Sequence, residues 1–148
     1  MPLKIIALGT GVCANGCNQA PRRFPPGFLI DYNNQLLLLD AAEGIRFRIQ
    51  DEGYDIGNVA HIALTHVHPD HAALPQLLQA KLCRVLWKEA DPLMRQAVVY
   101  LHEASAEGFE AVWKWHHPEA GEKINHMPDK FQFSIEPMRT GWQKEIFP

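Results

Sequence analysis

The sequence predicts a single α/β domain built on a mixed β-sheet. Three observations support this class. Short apolar runs near the N-terminus read as strands joined by a tight turn, and later runs with helical spacing alternate with further strands. In addition, 47% of the 148 residues are apolar. A chain of this length and composition can bury one sizeable core but is too short for two ordinary domains.

Three strands are predicted in the first forty residues. Lys4–Leu8 and Phe28–Tyr32 are apolar runs separated by a long loop rich in Gly, Asn and Pro. The pair Asn33-Asn34 predicts a two-residue turn, because Asn tolerates the positive φ angles of tight hairpins. The third strand, Gln35–Asp40, contains four consecutive leucines, which is typical of a strand buried on both faces.

Helices and strands alternate after the hairpin. Helices are predicted over Glu43–Glu52 and Ala72–Leu82, where apolar residues recur at a spacing of three or four. Strands are predicted over Val59–Thr65, Arg84–Leu86 and Phe131–Met138. This order of elements favours a mixed sheet with helices packed against it.

The segment Asp91–Pro128 is predicted to be a helical insertion. Asp91-Pro92 is a favourable helix start, because Asp accepts hydrogen bonds from free N–H groups and Pro suits the first turn. Apolar residues then recur at helical spacing as far as Leu101. A second helix is predicted to begin at Ser105.

Charge and composition limit the classes of partner. With 14 Lys+Arg and 17 Asp+Glu, the net charge is −3, so no strong general attraction to nucleic acid or to an anionic membrane is expected. A local basic patch, such as Arg22-Arg23, still permits an RNA substrate. No apolar run approaches the ~20 residues of a membrane helix. The three cysteines (Cys13, Cys17 and Cys83) cannot all pair, which favours a reducing, cytoplasmic location.

Residues 66–71 carry the motif His-x-His-x-Asp-His directly after a predicted buried strand. In an extended segment, residues two apart point to the same side, so His66 and His68 can bind one cation. The following turn brings Asp70 and His71 to a second side. Imidazole and carboxylate groups suit Zn²⁺, Fe²⁺ or Mn²⁺. The alternative is a solvated, histidine-rich loop that binds no metal.

The motif resembles the signature of the metallo-β-lactamase superfamily. Leu8-Gly9-Thr10-Gly11 and Leu39-Asp40-Ala41-Ala42-Glu43-Gly44 resemble turns of its ribonuclease Z-like branch, and the resemblance covers roughly residues 3–82. It implies a four-layer αββα sandwich with the active site between two sheets, of which this chain would form the first half. It also implies a hydrolase in which a metal-bound hydroxide attacks an ester, lactone or phosphodiester bond.

The same resemblance assigns candidate roles to five residues. It implies that His66 and His68 bind a first metal ion, that Asp70 and His71 bind a second, and that Asp70 is catalytic. The ions would be divalent, Zn²⁺ first, with Fe²⁺ or Mn²⁺ as alternatives. Asp40 would hold the metal-binding loop in place through hydrogen bonds. An aspartate that caps the helix predicted from Glu43 is an equal alternative for Asp40.

The family pattern also requires a third histidine after a later strand, then a bridging aspartate and a last histidine. Gly141 and Trp142 stand where the third histidine is expected, and the later ligands do not follow before Pro148. Two hypotheses remain. The chain is a metal-dependent hydrolase completed by a C-terminal half or by a second copy in a homo-oligomer, or it is a truncated or degenerate, inactive metal-binding or interaction domain. A half-sandwich is also expected to expose an apolar sheet face.

Overall fold

The computed structural model describes residues 2–11, 23–87, 96–116 and 132–147. Within these ranges the structure contains six strands and three helices, with a short 3-10 turn at Ile56–Asn58. In chain order the elements are β1 (Lys4–Gly9), β2 (Gly27–Tyr32), β3 (Gln35–Leu39), α1 (Ile45–Asp51), β4 (Val59–Ala63), α2 (Leu74–Trp87), β5 (Gln96–His102), α3 (Glu103–His116) and β6 (Gln132–Met138).

The six strands form one mixed sheet in the order β1-β2-β3-β4-β5-β6. The first three strands pair antiparallel, whereas β3, β4, β5 and β6 run parallel to one another. The carboxyl ends of these four strands therefore lie along one edge, where the loops that follow them meet. This architecture confirms the predicted α/β class.

The turn between β2 and β3 is the predicted two-residue hairpin. Asn33 and Asn34 have φ angles of 53° and 65°, and Tyr32 pairs with Gln35 across the turn. Positive φ at both central residues matches the twist of the flanking strands.

All three helices contribute to one apolar core on a single face of the sheet. Side chains of β1 to β5 fill the core from the sheet side, with Leu29, Leu38, Val59, Ile62 and Val99 fully buried. The helices contribute Ile45 and Ile49 from α1, Leu74, Leu77, Leu78 and Leu82 from α2, and Phe109 from α3. The described residues thus form a sheet with helices on one side, as in one half of the αββα sandwich.

The opposite face of the sheet is crossed by the segment that follows β6. The ring of Trp142 lies 5.9 Å from that of Tyr100, and the ring of Phe147 lies 5.6 Å from Tyr32 and 6.5 Å from His61, measured between centroids. These contacts cover the middle of the face and leave Tyr100 only 2% exposed.

The same face stays open towards β1. Phe28 pairs with Ala7, two residues beyond Ile5, so Ile5 and Phe28 lie on one face. Ile5 is 66% exposed and Phe28 is 36% exposed. The expected exposed apolar face is therefore present at the β1–β2 end, whereas Trp142 and Phe147 cover its middle.

Two predicted elements are wrong. Arg84–Leu86 continues α2 instead of forming a strand. The helix predicted from Asp91 to Leu101 is contradicted over residues 96–102, which form β5. Val98 and Val99 favour a strand, and pairing with β4 on one side and β6 on the other stabilises it.

The helix predicted from Ser105 is confirmed as α3, which begins two residues earlier at Glu103. The segment 91–128 is therefore not wholly helical, and its status as an insertion stays a prediction. Residues 91–95 and 117–128 lie outside the described residues, as do Cys13, Cys17 and Arg22.

Candidate metal centre

Backbone hydrogen bonds tie the histidine-rich loop to the end of β3. The N–H of Ala41 donates to the carbonyl of His71 at 2.7 Å, and the N–H of Ala73 donates to the carbonyl of Ala41 at 2.6 Å. The N–H of Asp40 donates to the carbonyl of Ala63 at 2.8 Å. Both ends of the loop between β4 and α2 are thus fixed against residues 40 and 41.

The carboxylate of Asp40 lies at the centre of this arrangement. Asp40 has a φ of 59° and is only 6% exposed. Its Oδ1 accepts from the N–H of Thr65 at 2.8 Å, and the Thr65 hydroxyl lies 2.9 Å from both carboxylate oxygens. Its Oδ2 lies 2.8 Å from Nδ1 of His71. A buried carboxylate with this many donors is well compensated for the loss of water.

In two histidines, Nδ1 has a hydrogen-bond partner within this arrangement. An ionised carboxylate only accepts hydrogen bonds, so Nδ1 of His71 carries the proton that it donates to Asp40. The Thr65 hydroxyl uses its one proton towards Asp40, so its oxygen accepts from Nδ1 of His66, 3.1 Å away. In both rings Nε2 is therefore the nitrogen that would bind a metal, since Nδ1 already has a hydrogen-bond partner.

The other predicted ligands lie around these two rings. The centroid of the His66 ring is 4.0 Å from that of His71 and 4.6 Å from that of His68. The Nε2 atom of His71 lies 3.7 Å from Oδ2 of Asp70. The loop folds back on itself because the N–H groups of His71 and Ala72 both donate to the carbonyl of His68.

The residue types fit a divalent metal site, but the described side chains do not converge on one point. Across residues 2–11, 23–87, 96–116 and 132–147, no three His, Cys, Asp or Glu side chains are arranged to hold one ion. The pairing of His71 with a carboxylate is the arrangement that metal-ligating histidines commonly have. The donor chemistry therefore fits a metal, and the ligand geometry is incomplete in this part of the chain.

The structure excludes one of the two roles weighed for Asp40. Helix α1 begins at Ile45 with Gly44 as its N-cap, and no side chain caps it. The helix-capping alternative is therefore wrong. The carboxylate contacts the metal-motif loop instead, through Thr65 and His71.

Sequence reasoning missed Thr65, which links Asp40 to His66. Its position immediately before the motif was visible, but its partner lies 25 residues earlier in the chain.

The segment expected to carry a third histidine, Arg139 to Trp142, follows β6 at the same sheet edge. Its Arg139 side chain is paired with Glu103, with 2.7 Å between Nε and Oε2.

None of the helices in the described ranges is long and apolar enough to cross a membrane.

Part of the chain is similar in sequence to known proteins. The family model described as Anti-Pycsar protein Apyc1 matches residues 3–74. The ribonuclease Z of Pyrobaculum arsenaticum is 38% identical over 80 residues, which are 53% of this chain and 27% of that protein. The matched region spans only 27–28% of the length of such curated relatives.

Solved structures show the same fold. Human tRNase Z, short form, superposes with a TM-score of 0.62 at 19% identity, covering 90% of this chain and 43% of that one. The metallo-β-lactamase fold protein YhfI of Bacillus subtilis gives a TM-score of 0.59 at 23% identity, covering 75% and 42% of the two chains. The fold is thus that of the metallo-β-lactamase superfamily. In sequence, the chain is similar to ribonuclease Z, with 34–38% identity over 80 to 92 residues.

Proposed function

We propose that this chain carries the metal-binding loop of a metal-dependent phosphodiesterase. The observation that carries the proposal is the 2.8 Å contact between Nδ1 of His71 and the buried Asp40 carboxylate. That contact uses Nδ1, so Nε2 of His71, which lies 3.7 Å from Oδ2 of Asp70, is the nitrogen that would bind a cation. Packing alone gives no reason to gather three imidazoles and one carboxylate in one loop.

In this proposal, His66 and His68 bind one divalent ion, and Asp70 and His71 bind the second. The ions, Zn²⁺ with Fe²⁺ or Mn²⁺ as alternatives, would supply Lewis-acid activation of water and of a substrate oxygen. Asp40 fixes the orientation and tautomer of His71. Asp70, beside His71, is placed to accept a proton from an attacking water.

A phosphodiester is the substrate class that we propose, in preference to an ester or lactone. Support comes from the relatives, whose names describe ribonuclease Z and tRNase Z activity. A nucleic acid or nucleotide is then the natural substrate, and a cytoplasmic location is compatible with the use of cysteine. Because the chain has a net charge of −3, attraction of a phosphate group would have to come from basic side chains near the site.

The remaining ligands must come from outside the described residues. Four donors in one loop are fewer than a pair of ions needs, and the described part of the chain holds no three-residue site. We propose that a C-terminal half of the sandwich or a second copy of the chain supplies them. The open end of the second sheet face, with Ile5 and Phe28 exposed, offers a surface for that contact.

The second candidate is an inactive metal-binding or interaction domain. It is favoured by the same lack of convergence among His66, His68, Asp70 and His71. This reading predicts weak metal binding and no turnover, because a water activated for attack needs ions held by several ligands.

Hydrolysis of bis(p-nitrophenyl) phosphate by the purified chain, with and without added Zn²⁺ or Mn²⁺, tests the proposal. We expect turnover that chelation abolishes, that His68→Ala removes, and that His102→Ala retains. His102 is a matched control because it is an exposed histidine at the end of β5, outside the loop. Turnover that survives both chelation and His68→Ala would refute the proposal. Metal binding without turnover would refute completion of the site by a second copy of the chain and favour the inactive domain.

A further inference from the structure

A positively charged side chain lies at the sheet edge that carries the histidine-rich loop. Of the described residues in the first four positions after β3, β4, β5 and β6, only Arg139 is a Lys or Arg. It begins the segment in which the family pattern requires a third metal-binding histidine. A guanidinium keeps its proton and only donates hydrogen bonds, so Arg139 cannot bind a metal ion in that place. The position suits an anion instead.

The strand register places Arg139 near the loop. Ala63 pairs with Tyr100, and Tyr100 pairs with Glu136, so these three residues are level across β4, β5 and β6. Three residues further on, the chain reaches His66 after β4 and Arg139 after β6, each just outside its strand. Neighbouring strands lie about 4.8 Å apart, so the ends of β4 and β6 are separated by about 10 Å. A phosphate group between these strand ends is within reach of long side chains from both.

The guanidinium of Arg139 is held in place and still has hydrogen-bond donors to offer. Its Nε donates to Oε2 of Glu103, the first residue of α3, at 2.7 Å. No other described residue accepts from this guanidinium, so the N–H groups of its two terminal nitrogens remain available to a ligand. The Arg139 side chain is 81% exposed. An ion pair as exposed as this contributes little to stability, so folding alone does not account for it.

We propose that Arg139, held by Glu103, binds the phosphate group of the substrate. The inference rests on the proposed phosphodiesterase function and adds a binding residue to that site. Two parallel N–H groups of a guanidinium match two phosphate oxygens, a geometry that lysine does not offer. The net charge of −3 gives the chain no general attraction for an anion, so a local cation has to provide it. An uncharged ester or lactone would gain nothing from this side chain.

Titration of the full chain with inorganic phosphate, followed through the amide NMR signals of residues 139–142, tests this inference without turnover. We expect Arg139→Gln to weaken phosphate binding about tenfold or more, because charge-assisted hydrogen bonds are lost. Arg139→Lys should restore part of the affinity, since it keeps the charge but not the paired geometry.

Arg84→Gln is the matched control for the titration. It removes the same charge from an arginine near the end of α2, about 15 Å along that helix from the loop, where Arg84 is paired with Asp55. We expect its affinity for phosphate to equal that of the wild type. Unchanged affinity in Arg139→Gln, or an equal loss in Arg84→Gln, would overturn the inference.

Steady-state kinetics separate this inference from the proposed function. Arg139→Gln should raise the KM for bis(p-nitrophenyl) phosphate about tenfold and leave hydrolysis of p-nitrophenyl acetate, an uncharged ester, unchanged. An equal loss with both substrates would contradict the inference, because it would indicate general damage to the site. No hydrolysis, with phosphate binding that still depends on Arg139, would count against the phosphodiesterase alone. Hydrolysis with an unchanged KM in Arg139→Gln would count against the role of Arg139 alone.

Discussion

The Nδ1 atom of His71 lies 2.8 Å from Oδ2 of Asp40, although 31 residues separate the two in sequence. Asp40 directly follows β3, and His71 lies in the loop between β4 and α2. The strands β3 and β4 are parallel neighbours in the sheet. The pairing of two adjacent strand ends therefore sets the orientation of an imidazole. In this position a carboxylate fixes the imidazole tautomer and raises its basicity as a ligand.

Replacing Asp40 with Asn tests this role with little change in shape. Asn tolerates the positive φ of this position. Its side-chain nitrogen only donates hydrogen bonds, however, so Asn cannot replace both carboxylate oxygens that accept from Thr65 and His71. We expect metal affinity to fall about 10–100-fold and the free energy of unfolding to fall by about 1–3 kcal/mol. Competition with a chelating dye and urea denaturation measure the two effects. Asp51→Asn, at an exposed carboxylate of α1, should change neither by a comparable amount.

Replacing Thr65 with Val tests the link between Asp40 and His66. Val keeps the branched shape and the backbone N–H bond but loses the hydroxyl that contacts Asp40 and Nδ1 of His66. We expect a loss of about 1 kcal/mol in the free energy of unfolding and a change in the ¹⁵N shifts of the His66 ring towards mixed tautomers. Thr65→Ser should restore the wild-type shifts. Identical shifts in all three proteins would show that the hydroxyl does not set the tautomer.

Stability is expected to rise with pH because of Lys81 in α2. Lys81 is 1% exposed, and its Nζ donates to the carbonyl of Gly57. Burial lowers the pKa of Lys81 to about 7, and the charge of Asp55 partly opposes this shift. The unfolded chain therefore binds more protons than the folded chain between about pH 7 and pH 10, so the free energy of unfolding increases across that window.

Lys81→Met should remove that increase, and urea denaturation at several pH values from about 6 to about 10 measures it. The variant leaves the Gly57 carbonyl without this donor, at a cost of about 1 kcal/mol that does not depend on pH. Parallel stability curves for the two proteins between about pH 7 and pH 10 would contradict the assignment to Lys81.

Removing Trp142 should expose apolar surface on the second sheet face. The ring of Trp142 lies 5.9 Å from that of Tyr100, and with Trp142 in place Tyr100 is only 2% exposed. We expect Trp142→Ala to lose about 1 kcal/mol in the free energy of unfolding, to bind more hydrophobic dye and to self-associate more in sedimentation. Trp115→Ala, at a tryptophan that is 77% exposed on α3, is the matched control. Equal dye binding by the two variants would argue against a covering role for Trp142.

Local sequence signals were sufficient for much of the fold. The Asn33-Asn34 turn requires only the positive φ that both residues adopt, and the fold class follows from the alternation of elements. The strand β5 was predicted as a helix, because Ala97, Val98 and Leu101 satisfy a helical spacing as well. Its strand conformation depends on pairing with β4 and β6, which no local pattern reveals.

The candidate site, too, was predictable from the sequence only in part. The spacing of His66, His68, Asp70 and His71 was sufficient to predict that they share a loop. The role of Thr65 was not predictable, because it depends on a carboxylate at positive φ on a neighbouring strand.

The central claim is that the loop at residues 66–71 binds divalent metal. Elemental analysis of the purified chain, beside a His66→Ala/His68→Ala double variant, tests it most directly. We predict about one to two equivalents of Zn, Fe or Mn per chain, lost in the double variant. No bound metal after reconstitution, or equal metal in the two proteins, would contradict the account.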